Sequence, residues 1–243
     1  MIAVPLHLLS LFRMNPPALT RADFDAAMVD LDGTLVDTLG DFVATVNAML
    51  AGLRQPGEEL RQLDAATVGR MVGKGSENLV RAVLTHTGGD FPARYAEAFA
   101  SYQRHYAAIN GLHSTVYPGG WEGLRTLQQA GLKLACLTNK PLAMARQLLR
   151  LKGLDGFFSE VFGGDSFERK KPDPLPLLKT CETLGTAPVR TLMIGDSSND
   201  ARAARAAGCP VLLVTYGYNH GEPVREVDAD GFADSLAELR FHK

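Results

Sequence analysis

Cysteine is scarce in this chain of 243 residues: Cys136, Cys181 and Cys209 are all there is, odd in number, far apart and set among apolar neighbours. No CxxC pair occurs, so nothing points to a cysteine-ligated metal or a dithiol redox centre, and buried reduced thiols of a cytosolic protein are the simplest reading. An excess of one charge is missing too. Lys and Arg number 25 against 27 Asp and Glu, a formal net charge of −2, which implies no basic face for nucleic acid. Long hydrophobic runs are also absent. The stretch Met1 to Phe12 is apolar, but no basic residue precedes it, no small-residue cleavage site follows, and it is too short to span a bilayer. Residues 1–24 therefore read as a disordered or loosely packed extension, with Met14, ahead of Pro16 and Pro17, as the expected native start. With no internal repeat and no low-complexity tract, length and composition fit an ordinary enzyme, expected in the cytoplasm; its oligomeric state, expected to be monomer or homodimer, is not written in the composition. The chain is long enough for one large domain or for a domain carrying an insert.

What the chain does have is the string Asp30-Leu31-Asp32-Gly33-Thr34-Leu35-Val36-Asp37. The lead-in Ala26-Ala27-Met28-Val29 is short and apolar, as a buried parallel strand is where it ends at a functional edge. Residues i and i+2 of an extended chain project to one side, so Asp30 and Asp32 crowd together at the strand's carboxyl end, where open α/β sheets bind ligands. Gly33 lets the chain turn sharply. The plainer reading is an acidic turn, with Asp37 or Thr38 capping a helix that begins near Leu39; the spacing of the whole string argues against it.

Along the chain the pattern changes twice. From 41 to 112 it has helical period and no good strand: Phe42, Val46 and Met49 recur at helical spacing, as do Leu79, Val80, Val83 and Leu84. Beyond Tyr117-Pro118-Gly119-Gly120, helices alternate with short apolar strands. Strands are expected over 132–137, 161–162, 191–194 and 211–214, and helices over 124–130, 141–151, 175–184 and 201–207. That rhythm predicts an α/β fold, a doubly wound parallel sheet with an inserted all-helical cap: 25–40 and 113–243 form the core, 41–112 the cap.

Three later strands end in chemically suggestive residues: Thr138-Asn139, Asp196 with Asp200 four residues on, and Lys171 ahead of a proline-led helix. Parallel strands put their carboxyl ends on one edge, so these residues can converge with Asp30 and Asp32. Each has a plainer reading. Thr138 and Asn139 can cap the helix at Pro141, Asn199 can cap the alanine-rich helix that Gly208 ends, and Lys171 can be a solvated lysine. Those readings require four coincidences on one edge.

In its order of motifs the chain resembles the haloacid dehalogenase superfamily, whose members carry DxDGT, a Thr or Ser at a strand end, a Lys, and GDxxxD. Here these are Asp30 to Thr34, Thr138, Lys171 and Gly195-Asp196-Ser197-Ser198-Asn199-Asp200, and the match covers roughly 25–240. More narrowly, Val72-Gly73-Lys74-Gly75, Gly163-Gly164-Asp165 and Tyr216-Gly217-Tyr218-Asn219-His220-Gly221 are similar to strings of the bacterial phosphoglycolate phosphatases. Lys74 departs from that group, where a small polar residue is expected. The resemblance implies a Rossmannoid core, a small-molecule phosphate monoester as substrate with 2-phosphoglycolate foremost, and Mg²⁺. It also implies the backbone carbonyl of Asp32 as a metal ligand, Lys171 on the phosphoryl oxygens, Thr138 and the backbone near Asn139 on a phosphate oxygen, and Asp200 orienting Lys171 or the metal waters.

The residues carry their own chemistry. An ordinary carboxylate, with a pKa of about 4, is ionised at neutral pH, so Asp30 can attack phosphorus without a base. Its obstacle is repulsion: two unit charges ~3.5 Å apart at an effective dielectric of about 20 repel by roughly 5 kcal/mol. A hard divalent ion held by Asp30 and Asp196 relieves this. Asp32, its carboxylate turned away from the ion, serves as acid to the leaving alkoxide and then as base to water. Gly73-Lys74-Gly75 leads into Ser76, read as an N-cap, and Lys74 is the expected partner of a substrate carboxylate, ahead of Arg70 and Arg81. His220 reads as a loop histidine bonded to backbone, and His86, His105 and His113 lack ligand spacing. Competing readings are a phosphatase for sugar phosphates or pyrophosphate, a phosphomutase, a dehalogenase, and a binding protein that retains the fold without turnover.

Overall fold

The computed structural model describes residues 18–20, 23–57, 59, 61–88 and 93–242. Met1 to Phe12 and Met14 lie outside the described residues. In chain order the strands are β1 (Ala18–Thr20), β2 (Ala26–Val29), β3 (Val36–Asp37), β4 (Thr115–Val116), β5 (Lys133–Leu137), β6 (Glu160–Phe162), β7 (Thr191–Gly195), β8 (Val211–Val214), β9 (Gly231–Ala233) and β10 (Arg240–His242). The helices are α1 (Leu39–Leu53), α2 (Ala65–Gly69), α3 (Ser76–His86) and α4 (Tyr95–Ile109), then α5 (Gly120–Gln129), α6 (Leu142–Leu151), α7 (Leu175–Leu184) and α8 (Ser198–Ala207).

Six strands make one parallel sheet in the order β6-β5-β2-β7-β8-β9. Every residue of β2 is buried, because both faces of the sheet are covered. Ala27 and Val29 join Cys136 and Ile194 in a cluster closed by Leu124 of α5 and Leu148 of α6. Met28 points the other way, into a cluster with Leu137, Met193, Leu177 of α7 and Ala203 of α8. This period-two division of an all-apolar strand between two helix layers is what doubly wound sheets require. After β2 the chain later lays β5 and β6 on one side of it and β7, β8 and β9 on the other, so the strand order reverses at β2. The register sets Val29 beside both Cys136 and Ile194. Asp30, Thr138 and Asp196 thus leave the sheet at nearly one level, at the reversal point where such sheets bind ligands.

The two-residue strands β3 and β4 pair antiparallel, Val36 with Val116 and Asp37 with Thr115, and α1 to α4 lie between them in sequence. Phe42, Val46 and Met49 on one face of α1 pack with Leu79, Val80 and Val83 of α3 and Tyr102 and Tyr106 of α4. These form an apolar cluster apart from those of the sheet, each large side chain contributing about 1.5–3 kcal/mol. Asp41, wholly buried in the first turn of α1, accepts hydrogen bonds from the backbone N–H of Gly111 (2.8 Å) and of His113 (2.7 Å). The exit of the helical segment is thereby tied to its entrance.

Several local expectations are corrected. Residues 18–20, inside the expected extension, form β1, paired in parallel with β10. The strands β9 and β10 were not anticipated, being three residues each with too few apolar positions to show a period. Helix α5 starts at Gly120 rather than Leu124, since Gly120 and Gly123 continue the stripe of Leu124 and Leu127. Ser76 is the first residue of α3, not its N-cap, a place taken by Gly75. Asn199 does not cap α8: Ser197 does, in a capping box with Asp200, which moves the helix start to Ser198.

Candidate active site

Asp30, Asp32, Thr138, Lys171, Asp196 and Asp200 gather at the carboxyl edge of the sheet. Lys171 sits at their centre, 3% exposed, its Nζ 2.7 Å from Asp200 Oδ1 and 3.1 Å from Asp30 Oδ1, and donating to the carbonyl of Leu137 at 2.7 Å. Two carboxylates at an ammonium buried this deeply hold it charged, with its pKa above the ordinary lysine value despite desolvation. It is no solvated lysine. Asp30 accepts from the N–H of Leu31 at 2.8 Å. Asp196 accepts from Thr34 Oγ1 at 3.0 Å and from the N–H of Tyr218 at 2.8 Å. Asp200 works twice: one oxygen takes Lys171, while the other takes Ser197 Oγ (2.8 Å) and the N–H of Ser197 (3.1 Å) at the start of α8. Glycine is demanded at 33, where φ is +87° and a Cβ would come within 2.5 Å of Asp196 Oδ2.

Asp30, Asp196 and Asp200 each present an oxygen such that all lie within 4.8 Å of one another. With Asp32 they make four carboxylates against two ammoniums, Lys140 and Lys171. Oxygen donors and an excess of two negative charges fit a hard divalent cation. Burial is felt by the carboxylates themselves. Desolvation, opposed by Lys171, pushes Asp30 up to about 7; desolvation with the charges of Asp200 and Asp30 pushes Asp196 up to about 8. The expectation that Asp30 is an ordinary ionised carboxylate is corrected accordingly: it is fully ionised at neutral pH only once a cation offsets the crowding.

Asp32 faces elsewhere. Its Oδ1 lies 2.9 Å from Nζ of Lys140, a buried lysine whose ammonium also meets the hydroxyl of Tyr106 and sits over the rings of Phe42 (5.3 Å) and Tyr106 (4.7 Å). Sequence reasoning missed Lys140. The signal was its place in Thr138-Asn139-Lys140-Pro141 at the end of β5, hidden by the rule that lysines are solvated. Thr34 and Tyr218 were likewise quoted in motifs without being given work. Thr138 and Asn139 leave the capping of α6 to others: Asp165 of Gly163-Gly164-Asp165 accepts from the N–H of Leu142 at 2.8 Å.

Asn139 and Asn199 reach the helical segment instead, both donating to the carbonyl of Gly73, at 3.3 and 3.1 Å. His220 Nδ1 lies 2.7 Å from the carbonyl of Val72, so the proton sits on Nδ1, and desolvation holds the imidazole pKa below its ordinary value. The loop 72–75 is thus gripped from below. Gly73 and Gly75 line a cavity with Asp32, Lys140, Phe42 and Tyr106. Lys74 between them is exposed and is not among the lining residues. Arg70 is exposed as well, and Arg81 stacks over Tyr95 at 4.7 Å.

The family model for haloacid dehalogenase-like hydrolases matches residues 24–208. The chain is 45% identical over 218 residues to the phosphoglycolate phosphatase of Thiobacillus denitrificans, covering 88% of this chain and 92% of that one. A crystal structure described as a predicted phosphoglycolate phosphatase from Haemophilus somnus superposes with a TM-score of 0.79 at 32% identity, covering 89% and 96% of the two chains. CbbY from Rhodobacter sphaeroides, in complex with phosphate, gives a TM-score of 0.74 at 25% identity over 90% and 97%. The chain belongs to the haloacid dehalogenase-like hydrolases. Within them it is a phosphatase, a hydrolase of phosphoric monoesters.

Proposed function

We propose that the substrate is 2-phosphoglycolate, cleaved to glycolate and inorganic phosphate through an aspartyl phosphate on Asp30. The observation that carries this reading is the division between the two carboxylates of one strand end: Asp30 faces Lys171, Asp196 and Asp200, while Asp32 faces Lys140. An oxygen of Asp30 attacks phosphorus, the bond from phosphorus to the glycolate oxygen breaks, and Asp32 gives that oxygen its proton. Asp32, now ionised, takes a proton from water; the water oxygen attacks the aspartyl phosphate, and the bond to Asp30 breaks to release phosphate. Lys171 and Thr138 hold phosphoryl oxygens, with the backbone at Asn139, and Asp200 positions Lys171. Asp30, Asp196 and the carbonyl of Asp32 would hold Mg²⁺, which when bound supplies positive charge against the repulsion between Asp30 and a phosphate dianion.

The helical segment acts as a cap, residues 41–112 over a core of 25–40 and 113–243, and loop 72–75 excludes water from the closed site. We place the enzyme in the cytoplasm, as a monomer or homodimer; among the described residues no helix is long and apolar enough to cross a membrane. The test is a Mg²⁺-dependent panel of phosphoglycolate, sugar phosphates, nucleotides and pyrophosphate ranked by kcat/KM. Phosphoglycolate is expected at the head. A sugar phosphate or pyrophosphate preferred by tenfold or more would replace it as substrate, and a bisphosphate intermediate would make the enzyme a mutase.

A further inference from the structure

We infer that Lys140 selects the substrate, by binding a carboxylate that lies two bonds from the ester oxygen. The inference rests on the phosphoglycolate reading and on Asp32 serving the leaving oxygen.

The cavity beside Asp32 measures about 40 Å³ and is walled by Phe42, Leu79 and Tyr106 of the helical segment. Among the described residues that line it, Lys140 is the only cation. Its ammonium has three donors, of which Asp32 Oδ1 and the Tyr106 hydroxyl engage two. The rings of Phe42 and Tyr106 close round it, so water does not solvate the charge as it would at a surface, and an anion entering the cavity finds a desolvated cation already in place.

Position then fixes the class of anion. The group that hands a proton to the ester oxygen must stand within hydrogen-bond reach of it, and Lys140 is held 2.9 Å from that group. An anion a few atoms from the ester oxygen on the leaving-group side comes within reach of Lys140. In 2-phosphoglycolate the carboxyl carbon is two bonds from that oxygen. In 2-hydroxyethyl phosphate, which is the same length, a neutral hydroxymethyl group stands there. Lys140 discriminates between the two, and in the carboxylate complex one ammonium serves both Asp32 and the substrate.

The experiment compares kcat/KM for 2-phosphoglycolate and for 2-hydroxyethyl phosphate in wild type, Lys140→Met, Lys140→Arg and Lys74→Ala, with circular dichroism as the check on folding. In Lys140→Met the preference for phosphoglycolate is expected to collapse by at least 30-fold, and competitive inhibition by glycolate to weaken in parallel. Lys140→Arg, which keeps the charge, should retain the preference within about fivefold, and it carries the test alone if the Met variant does not fold. Equal losses on both substrates would reduce Lys140 to a support for Asp32 and overturn the inference, as would collapse of the preference in Lys74→Ala instead. A wild-type protein that turns over neither substrate refutes the phosphoglycolate reading itself, whereas normal turnover with an unchanged preference in Lys140→Met refutes only the role of Lys140.

Discussion

Divalent-ion binding should be strongly coupled to protons, with a size set by the crowding of Asp30 and Asp196. Titrating Mg²⁺ into the ion-free protein at a series of pH values is the perturbation. The two carboxyls are pushed up to about 7 and about 8, chiefly by burial. At pH 6 the ion-free pair therefore holds close to two protons, and at pH 9 close to none. An ion that needs both groups ionised must displace those protons, so release falls from about two per ion to about zero, and affinity tightens by about 10³-fold from pH 6 to pH 9. Calorimetry in buffers of different ionisation enthalpy counts the protons, and the same titrations give the affinity. Asp30→Asn should remove about one proton from the count at pH 6. Release of less than about half a proton at pH 6, or an affinity that changes less than tenfold over the range, would refute the reasoning, because the ion would then not draw on these two carboxylates.

Without the ion the same groups bind protons in the folded state that the unfolded chain, with carboxyls at the ordinary 3.8, does not bind. Ion-free stability is then greatest below pH 4 as far as this pair is concerned and is lost as pH rises through 7 to 8; melting temperatures from pH 5 to pH 8.5 should fall, and saturating Mg²⁺ should remove the decline. Asp30→Asn should abolish turnover yet melt several degrees higher than wild type in chelator, since it takes one negative charge out of the cluster. Lys171→Met strands Asp30 and Asp200, and urea unfolding should show a loss of roughly 3–5 kcal/mol. Asp41→Ala orphans the amides of Gly111 and His113, which should cost about 2–4 kcal/mol and lower kcat more than it raises KM for a loosened helical segment.

The sheet and its edge were legible because long-range order rests on local signals here. Each buried strand is an apolar run bounded by turn residues, and the chemistry sits where the runs stop, at Asp30, Thr138 and Asp196. Less legible was anything decided by which way a polar side chain turns. Lys140 and Lys171 look alike in sequence beside Asn139 and Lys170, and only packing shows that both ammoniums are inside. Asn139 and Asn199 have the composition of helix caps, yet both amides reach Gly73, with Asn139 also donating to the carbonyl of Lys171, while Asp165 and Ser197 serve the helices. The short strands at either end of the chain escaped notice because pairing between them, not an apolar period, makes them strands.

The core grips loop 72–75 by its main-chain oxygens, with two amide donors on Gly73 and one imidazole on Val72. Such a latch does not read the side chain at 74, although Val72 is buried and a Cβ at Gly73 would collide with His220. Residue 74 can change from a small polar residue to lysine without loosening it, because no core residue among these reads what the loop displays. Closure and display are thereby uncoupled: the side chain that the loop turns outward at 74 is free to change while the grip on its backbone stays the same.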